Sequence, residues 1–176
     1  MLFRSVVARG VGKGIEAVCK YMMPALFAIL LILVLNAVFN ADIARGIDFL
    51  LNPDFSKITP NVVIMAMGQA FFSLAIGVGV MLTYGAYVPA TVSLPQAAFT
   101  IAIADTLVAV LAGVAIFPVV FANGLDPGDG PGLIFVTLPI AFGNMPAGYI
   151  IGLLFFTLLF LAAFSSVLGM LEPVVS

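Results

Sequence analysis

Residues 66–87, AMGQAFFSLAIGVGVMLTYGAY, lie inside a segment between Lys57 and Asp105 that carries no charged side chain. An uncharged apolar run of that length reads as a membrane span. Its middle is poorly suited to a plain lipid-facing helix. Gly77 and Gly79 flank Val78, Ser73 lies one turn before them, and Thr83, Tyr84 and Gly85 follow one turn after. Two readings stay open. In one, the glycines serve close helix packing, as small residues do in membranes. In the other, the helix is interrupted over residues 75–79, and its freed carbonyls and amides hold an ion and a small polar solute. An interruption at that depth is tolerated only where protein or a water-filled cavity covers it.

Composition agrees with a membrane location. Of 176 residues, 64% are apolar and only 8% charged, against about 25% charged in soluble domains, so six basic and eight acidic residues could hardly cover a water-facing surface. Basic tracts suited to nucleic acid are missing. The chain also has no histidine, which removes the usual general base and the commonest metal ligand. The single cysteine, Cys19, has no partner for an intrachain disulfide and reads as a small apolar residue.

Outward from the opening stretch, the chain divides into four expected spans. Residues 1–20 carry Arg4, Arg9, Lys13 and Lys20 against one acidic residue, Glu16; this positive bias places them on the cytoplasmic side as a connector. The amino end does not read as a cleaved signal, because the uncharged run after it is too long for a signal's apolar core and lacks an Ala-x-Ala site. Span one covers residues 21–41, with Pro24 in its first turns. The outer loop 42–61 mixes Asp42, Arg45, Asp48, Asp54 and Lys57, and its Pro and Asn residues mark turns. Span two, residues 62–88, returns the chain inward. Its Gln69, Ser73, Thr83 and Tyr87 share one face if the helix is continuous.

Span three, residues 98–121, holds Asp105 within a stripe of small residues, Ala98, Ala102, Ala109 and Ala112. The stripe turns Asp105 toward protein and away from lipid, and Pro118 kinks or ends the helix. The outer loop 122–147 begins NGLDPGDGPG and continues LIFVTLPIAFGNMP, apolar enough to lie back on the protein as a short helix or a pair. It is either a lid or a structural cover. Span four, residues 148–171, contains Ala162, Ser165, Ser166 and Gly169. Its serines either bond back to helix carbonyls or lend their oxygens to an ion. The expected architecture is all-α, a polytopic membrane helix bundle of four transmembrane spans with both termini cytoplasmic, multi-pass in a cell membrane, with residues 21–176 forming one partial transporter domain.

In this order the motifs resemble the neurotransmitter:sodium symporter family, in its bacterial branch of sodium-dependent amino-acid transporters. ARGVGKGIEAVCKYMMPALF is similar to the family's connection into its fifth helix, and MGQAFFSLAIGVGVMLTYGAY to its broken sixth. ADTLVAVLAGVAIFP looks like the seventh helix, GPGLIFVTLPIAFGNMP like the fourth outer loop and FLAAFSSVLGMLEP like the eighth. The resemblance implies a fragment of an inverted-repeat transporter, covering about helices five to eight, with an unwound span two. It also implies that the missing transporter helices are needed for a complete site, so the chain alone should not transport.

Residue by residue, the resemblance implies sodium ligands at Ser73 and Asp105 for one ion, and at Ala162 (carbonyl), Ser165 and Ser166 for a second. Phe72 and Val78 would line a substrate pocket that also receives Ser166 and Met170, and Ala75, Gly77 and Gly79 would supply unwound backbone. Asp105 stands where many relatives have asparagine, and Val78 where relatives often have an aromatic. The donor chemistry agrees independently, since sodium is a hard cation that prefers oxygen.

The expected function is part of a sodium-coupled symporter for amino acids or related small zwitterions, with sodium as the coupling ion, no other cofactor, the lipid bilayer as partner and the bacterial inner membrane as location. The alternative is a structural or regulatory membrane subunit that keeps the fold without transporting. An intramembrane enzyme built on Asp105 and Glu172 is disfavoured, because these residues lie on different spans with no histidine or activated nucleophile beside them.

Overall fold

Side-chain caps at Asp42 and Thr59 fix two of the helix starts. A computed structural model describes residues 14–77, 79–89, 91–128, 130 and 132–175, and among them the fold is all-α. The helices are α1 (Glu16–Asn40), α2 (Ile43–Leu51), α3 (Pro60–Ser73), α4 (Val80–Ala86), α5 (Leu94–Ala122), α6 (Leu138–Asn144) and α7 (Gly148–Val175). Three stretches among the described residues are long and apolar enough to cross a membrane: Glu16–Asn40, Leu94–Ala122 and Gly148–Leu171. The chain is therefore a multi-pass membrane protein. Its described residues form two compact units, the first within residues 14–21, 54–107 and 163–175 and the second within residues 22–53 and 108–162.

Several boundaries differ from the expectation. α1 starts at Glu16, five residues before the uncharged run, so Pro24 lies inside the helix and not at its first turn; an acidic residue at the amino end suits the helix dipole. α5 starts at Leu94 and runs through Pro118 to Ala122, so the proline does not end it. Residues 43–51, placed in a mixed loop, form a helix whose start is capped by Asp42, the side chain accepting from the Arg45 amide at 3.2 Å. The stretch beyond the glycine-rich turn folds as a π-helical turn, Leu133–Thr137, running into α6.

The second unit holds the buried core. Leu30, Leu33 and Ala37 from α1 pack with Ala115, Val119 and Val120 from α5, Leu138, Ala141 and Phe142 from α6, and Ile151 and Phe155 from α7. In the same unit α2 lies directly on α5. Gly46 faces the fully buried Pro118, whose Cδ and backbone N would stand 2.7 and 2.9 Å from a Cβ placed there. Phe49 packs tilted against the Phe117 ring at 4.8 Å and edge-on against Phe121 at 5.4 Å, and the Arg45 guanidinium sits 4.9 Å above Phe121. Arginine over an aromatic face is attractive through the ring quadrupole, so a charge that suggested a loop in the sequence helps to seat a helix.

In the first unit, α3 is capped by Thr59, whose Oγ1 accepts from the Val62 amide, with Pro60 in the first helical position. Just before it, the exposed Asp54 is held below the usual carboxylate range by hydrogen bonding from the Ser56 side chain, then from Lys57 and from the Ser56 amide. At 14 residues, α3 is about 21 Å long, short of the roughly 30 Å hydrocarbon layer. The helix stops at Ser73, a turn occupies residues 74–77, and helix resumes at Val80. Gln69 and Ser73 therefore do not share a continuous helical face with Thr83 and Tyr87.

The surroundings of the glycines yield a ranked prediction for unfolding in detergent micelles. A methyl on Gly148 would meet the Phe142 backbone carbonyl and one on Gly46 the Pro118 ring, whereas one on Gly113 would meet only the tip of Leu50 and one on Gly68 nothing within 4 Å. Gly148→Ala and Gly46→Ala should each destabilise by about 1–3 kcal/mol. Gly113→Ala should cost less because Leu50 can rotate, and Gly68→Ala should stay within about 0.5 kcal/mol of the parent. Equal thermal midpoints for Gly148→Ala and Gly68→Ala would contradict the packing described.

Candidate functional site

The helix stop that precedes the site is built from backbone hydrogen bonds. The Ile76 amide donates to the Phe71 carbonyl at 2.9 Å and the Ala75 amide to the Phe72 carbonyl at 3.1 Å. This bond pair is the Schellman closure, which needs its middle residue in the left-handed region; Ala75 has φ +51°. Gly77 and Gly79 follow at φ +95° and +80°, and the Gly79 carbonyl accepts from the Thr83 amide to start α4. The bonds at the stop engage the carbonyls of Ala70, Phe71 and Phe72. Those from Ser73 onward lie past the regular ladder, where carbonyls can turn to other partners.

Ser73, the last residue of α3, donates its hydroxyl to Asp105 Oδ2 on α5 at 2.6 Å. That length is typical of a hydroxyl held by a carboxylate. The bond consumes the serine's proton and leaves its oxygen lone pairs, together with the remaining lone pairs of the carboxylate, available to a cation. Two residues far apart in sequence and singled out for the same ion are thus brought into direct contact.

The other singled-out residues fall into separate groups. Ala162, Ser165 and Ser166 occupy one turn of α7, with Met170 one turn further on; Ala162 and Ser165 are partly buried and Ser166 is exposed. Phe72 is 76% exposed and Met170 49%, so the described residues enclose neither. Val78 lies outside the described residues. Threonines on α5 and α7 show the back-bonding alternative directly: Thr100, Thr106 and Thr157 each donate to the carbonyl four residues earlier, at 2.9, 2.9 and 2.7 Å. Gly169, noted on span four without a role, lies where a Cβ would stand 3.9 Å from the Tyr84 hydroxyl. The glycine gives the α4 tyrosine room beside α7, and a small residue in an apolar helix was its sign in the sequence.

The profile of the Sodium:neurotransmitter symporter family matches residues 1–176. The chain belongs to this family. It is 43% identical over 171 residues to the uncharacterised sodium-dependent transporter YhdH of Bacillus subtilis, covering 97% of this chain and 38% of that protein. A sodium-dependent transporter of Haemophilus influenzae is 40% identical over 171 residues, 97% of this chain and 37% of the relative. Among solved structures, that of MhsT in complex with L-phenylalanine superposes with a TM-score of 0.85 at 44% identity, covering 98% of this chain and 39% of that one. The chain therefore spans less than two fifths of the length of these relatives, and its family is one of transporters, not of enzymes.

For this symporter-family chain, the contact between Ser73 and Asp105 can be measured as a coupling. In a double-mutant cycle of Ser73→Ala and Asp105→Asn, followed by apparent thermal stability in micelles, the two losses should fail to add by about 0.5 kcal/mol or more. Strict additivity would show that the two side chains do not interact.

Proposed function

We propose that this chain forms part of a sodium-coupled symporter for amino acids or related small zwitterions, working by alternating access. The 2.6 Å contact between Ser73 and Asp105 at the end of an interrupted helix carries the reading. Membership of a sodium symporter family supports it, as does the likeness to a structure holding L-phenylalanine.

In this reading α3, the turn after it and α4 together make one crossing. Their 14 and 7 helical residues and the connecting turn reach about the hydrocarbon thickness. With α1, α5 and α7 this gives four spans, about helices five to eight of an inverted-repeat transporter. Residues 1–20 then lie on the cytoplasmic side of a bacterial inner membrane, and the loops 42–61 and 122–147 lie outside. Sodium is the coupling ion. One ion takes the Ser73 and Asp105 oxygens; a second takes the Ala162 carbonyl and the Ser165 and Ser166 hydroxyls. The substrate meets Phe72, Val78, Ser166 and Met170 and the unwound backbone at Ala75, Gly77 and Gly79. The remaining ligands come from transporter helices beyond this chain.

Electrostatics gives Asp105 a role that asparagine could not fill. A sodium ion held by neutral oxygens leaves net positive charge in a low-dielectric site, which is costly unless an anion offsets it. Here the carboxylate is both ligand and counter-charge. In the transporter that contains this chain, Asp105→Asn should keep an oxygen ligand but lose the charge, raising the sodium half-saturation of uptake or making uptake respond to chloride. Asp105→Ala should lose both and be worse. Uptake measured in chloride and in gluconate decides the matter: unchanged sodium half-saturation in Asp105→Asn, with no chloride effect, removes Asp105 from the ion site.

A further inference from the structure

The chain closes two helices with the same pair of backbone bonds but different residues. At the end of α5, the Leu125 amide donates to the Val120 carbonyl at 3.1 Å and the Gly124 amide to the Phe121 carbonyl at 3.0 Å, with Gly124 at φ +65°. At the end of α3 the equivalent bonds are made around Ala75 at φ +51°. Glycine adopts the left-handed conformation freely, whereas an alanine Cβ crowds the following carbonyl. The penalty for a left-handed alanine corresponds to a factor of about 5 to 30 against the closed stop.

The strained stop also has room to move. Leu74 and Ile76, on either side of Ala75, line an open apolar groove of about 370 Å³ together with Met81 and Tyr84 of α4 and Ala98 and Ile101 of α5. Close-packed interiors resist rearrangement because displaced side chains have nowhere to go, and here they have somewhere to go. Ser73, whose hydroxyl is bound to Asp105, lies two residues before the strained position.

We propose that Ala75 is a built-in conformational switch: its strained left-handed conformation keeps the stop of α3 weak, and occupancy of the ion site at Ser73 and Asp105 tightens it. The coupling to the ion rests on the function proposed above; the strain does not. With the stop only partly populated, the ion binds an ensemble in which the competent conformer is diluted, and apparent affinity falls by that fraction. A glycine at position 75 would remove the dilution. Alanine there therefore trades affinity for responsiveness, letting the broken helix loosen once the ion departs.

Hydrogen exchange of the full chain in lipid nanodiscs separates the two parts. In choline medium without sodium, protection of the Ile76 amide should rise about tenfold in Ala75→Gly and fall in Ala75→Val, whose branched side chain disfavours the left-handed region further. Gly124→Ala should lower protection of the Leu125 amide by a similar factor, reproducing at the other stop what Ala75 does at the first. Ile76 protection within twofold of the parent in Ala75→Gly would overturn the strained stop. In the transporter that contains this chain, adding sodium should then protect Ile76 more in the parent than in Ala75→Gly. Equal protection by sodium in the two would overturn the coupling, and no response to sodium in either would count against the ion site itself.

Discussion

The hydrogen bond from Ser73 to Asp105 ties the last turn of α3 to α5 across 32 residues of sequence, at the place where the helical ladder is interrupted. An ionisable residue in an apolar helix is expensive in hydrocarbon, and so is a helix end whose carbonyls lack partners. Placing the two together lets each lessen the other's cost. The hydroxyl partly satisfies the carboxylate, and a cation held there would neutralise it while drawing on the carbonyls that the helix stop leaves past its ladder.

The rest of the first unit follows from this arrangement. α3 must stop at Ser73 for the hydroxyl to sit at a helix end, so the backbone turns through left-handed residues at 75, 77 and 79 before α4 begins. The second unit serves a different need. Its core of α1, α5, α6 and α7 side chains is close-packed, and the short α2 is seated on α5 by the fit of Gly46 to Pro118 and by aromatic contacts. Tolerance is low at Gly46 and Gly148, where the Pro118 ring and the Phe142 backbone occupy the space a Cβ would take. Around the stop of α3, by contrast, a Cβ placed on Gly77 or Gly79 would meet nothing within 4 Å.

How much of this could be seen beforehand depended on the kind of signal. The long apolar helices were legible as runs with at most one charge within the expected span, because the cost of charge in hydrocarbon acts on every residue of a span. α2 was not, since Asp42, Arg45 and Asp48 read as a loop until Asp42 proved to cap the helix and Arg45 to lie on Phe121. The glycines at 77 and 79 pointed to an irregular backbone, but the left-handed residue closing α3 is Ala75, which no propensity rule would choose. Ser73 and Asp105 were paired through the family resemblance and not by spacing, because contacts between distant helices leave no periodic trace in one sequence. Family membership is carried by matches over the whole chain; the assignment of Ala162, Ser165 and Ser166 to a second ion rests on the resemblance, and spacing alone left ion binding and back-bonding equally open.

The most direct measurement is of the Asp105 carboxylate itself. Infrared difference spectra of the purified transporter containing this chain, recorded on exchanging choline for sodium, should contain a shift of a carboxylate stretching band. That band should be lost in Asp105→Asn and altered in Ser73→Ala. A sodium-induced carboxylate signal that survives unchanged in Asp105→Asn, in a preparation that still binds sodium, would contradict the assignment of the ion to this pair.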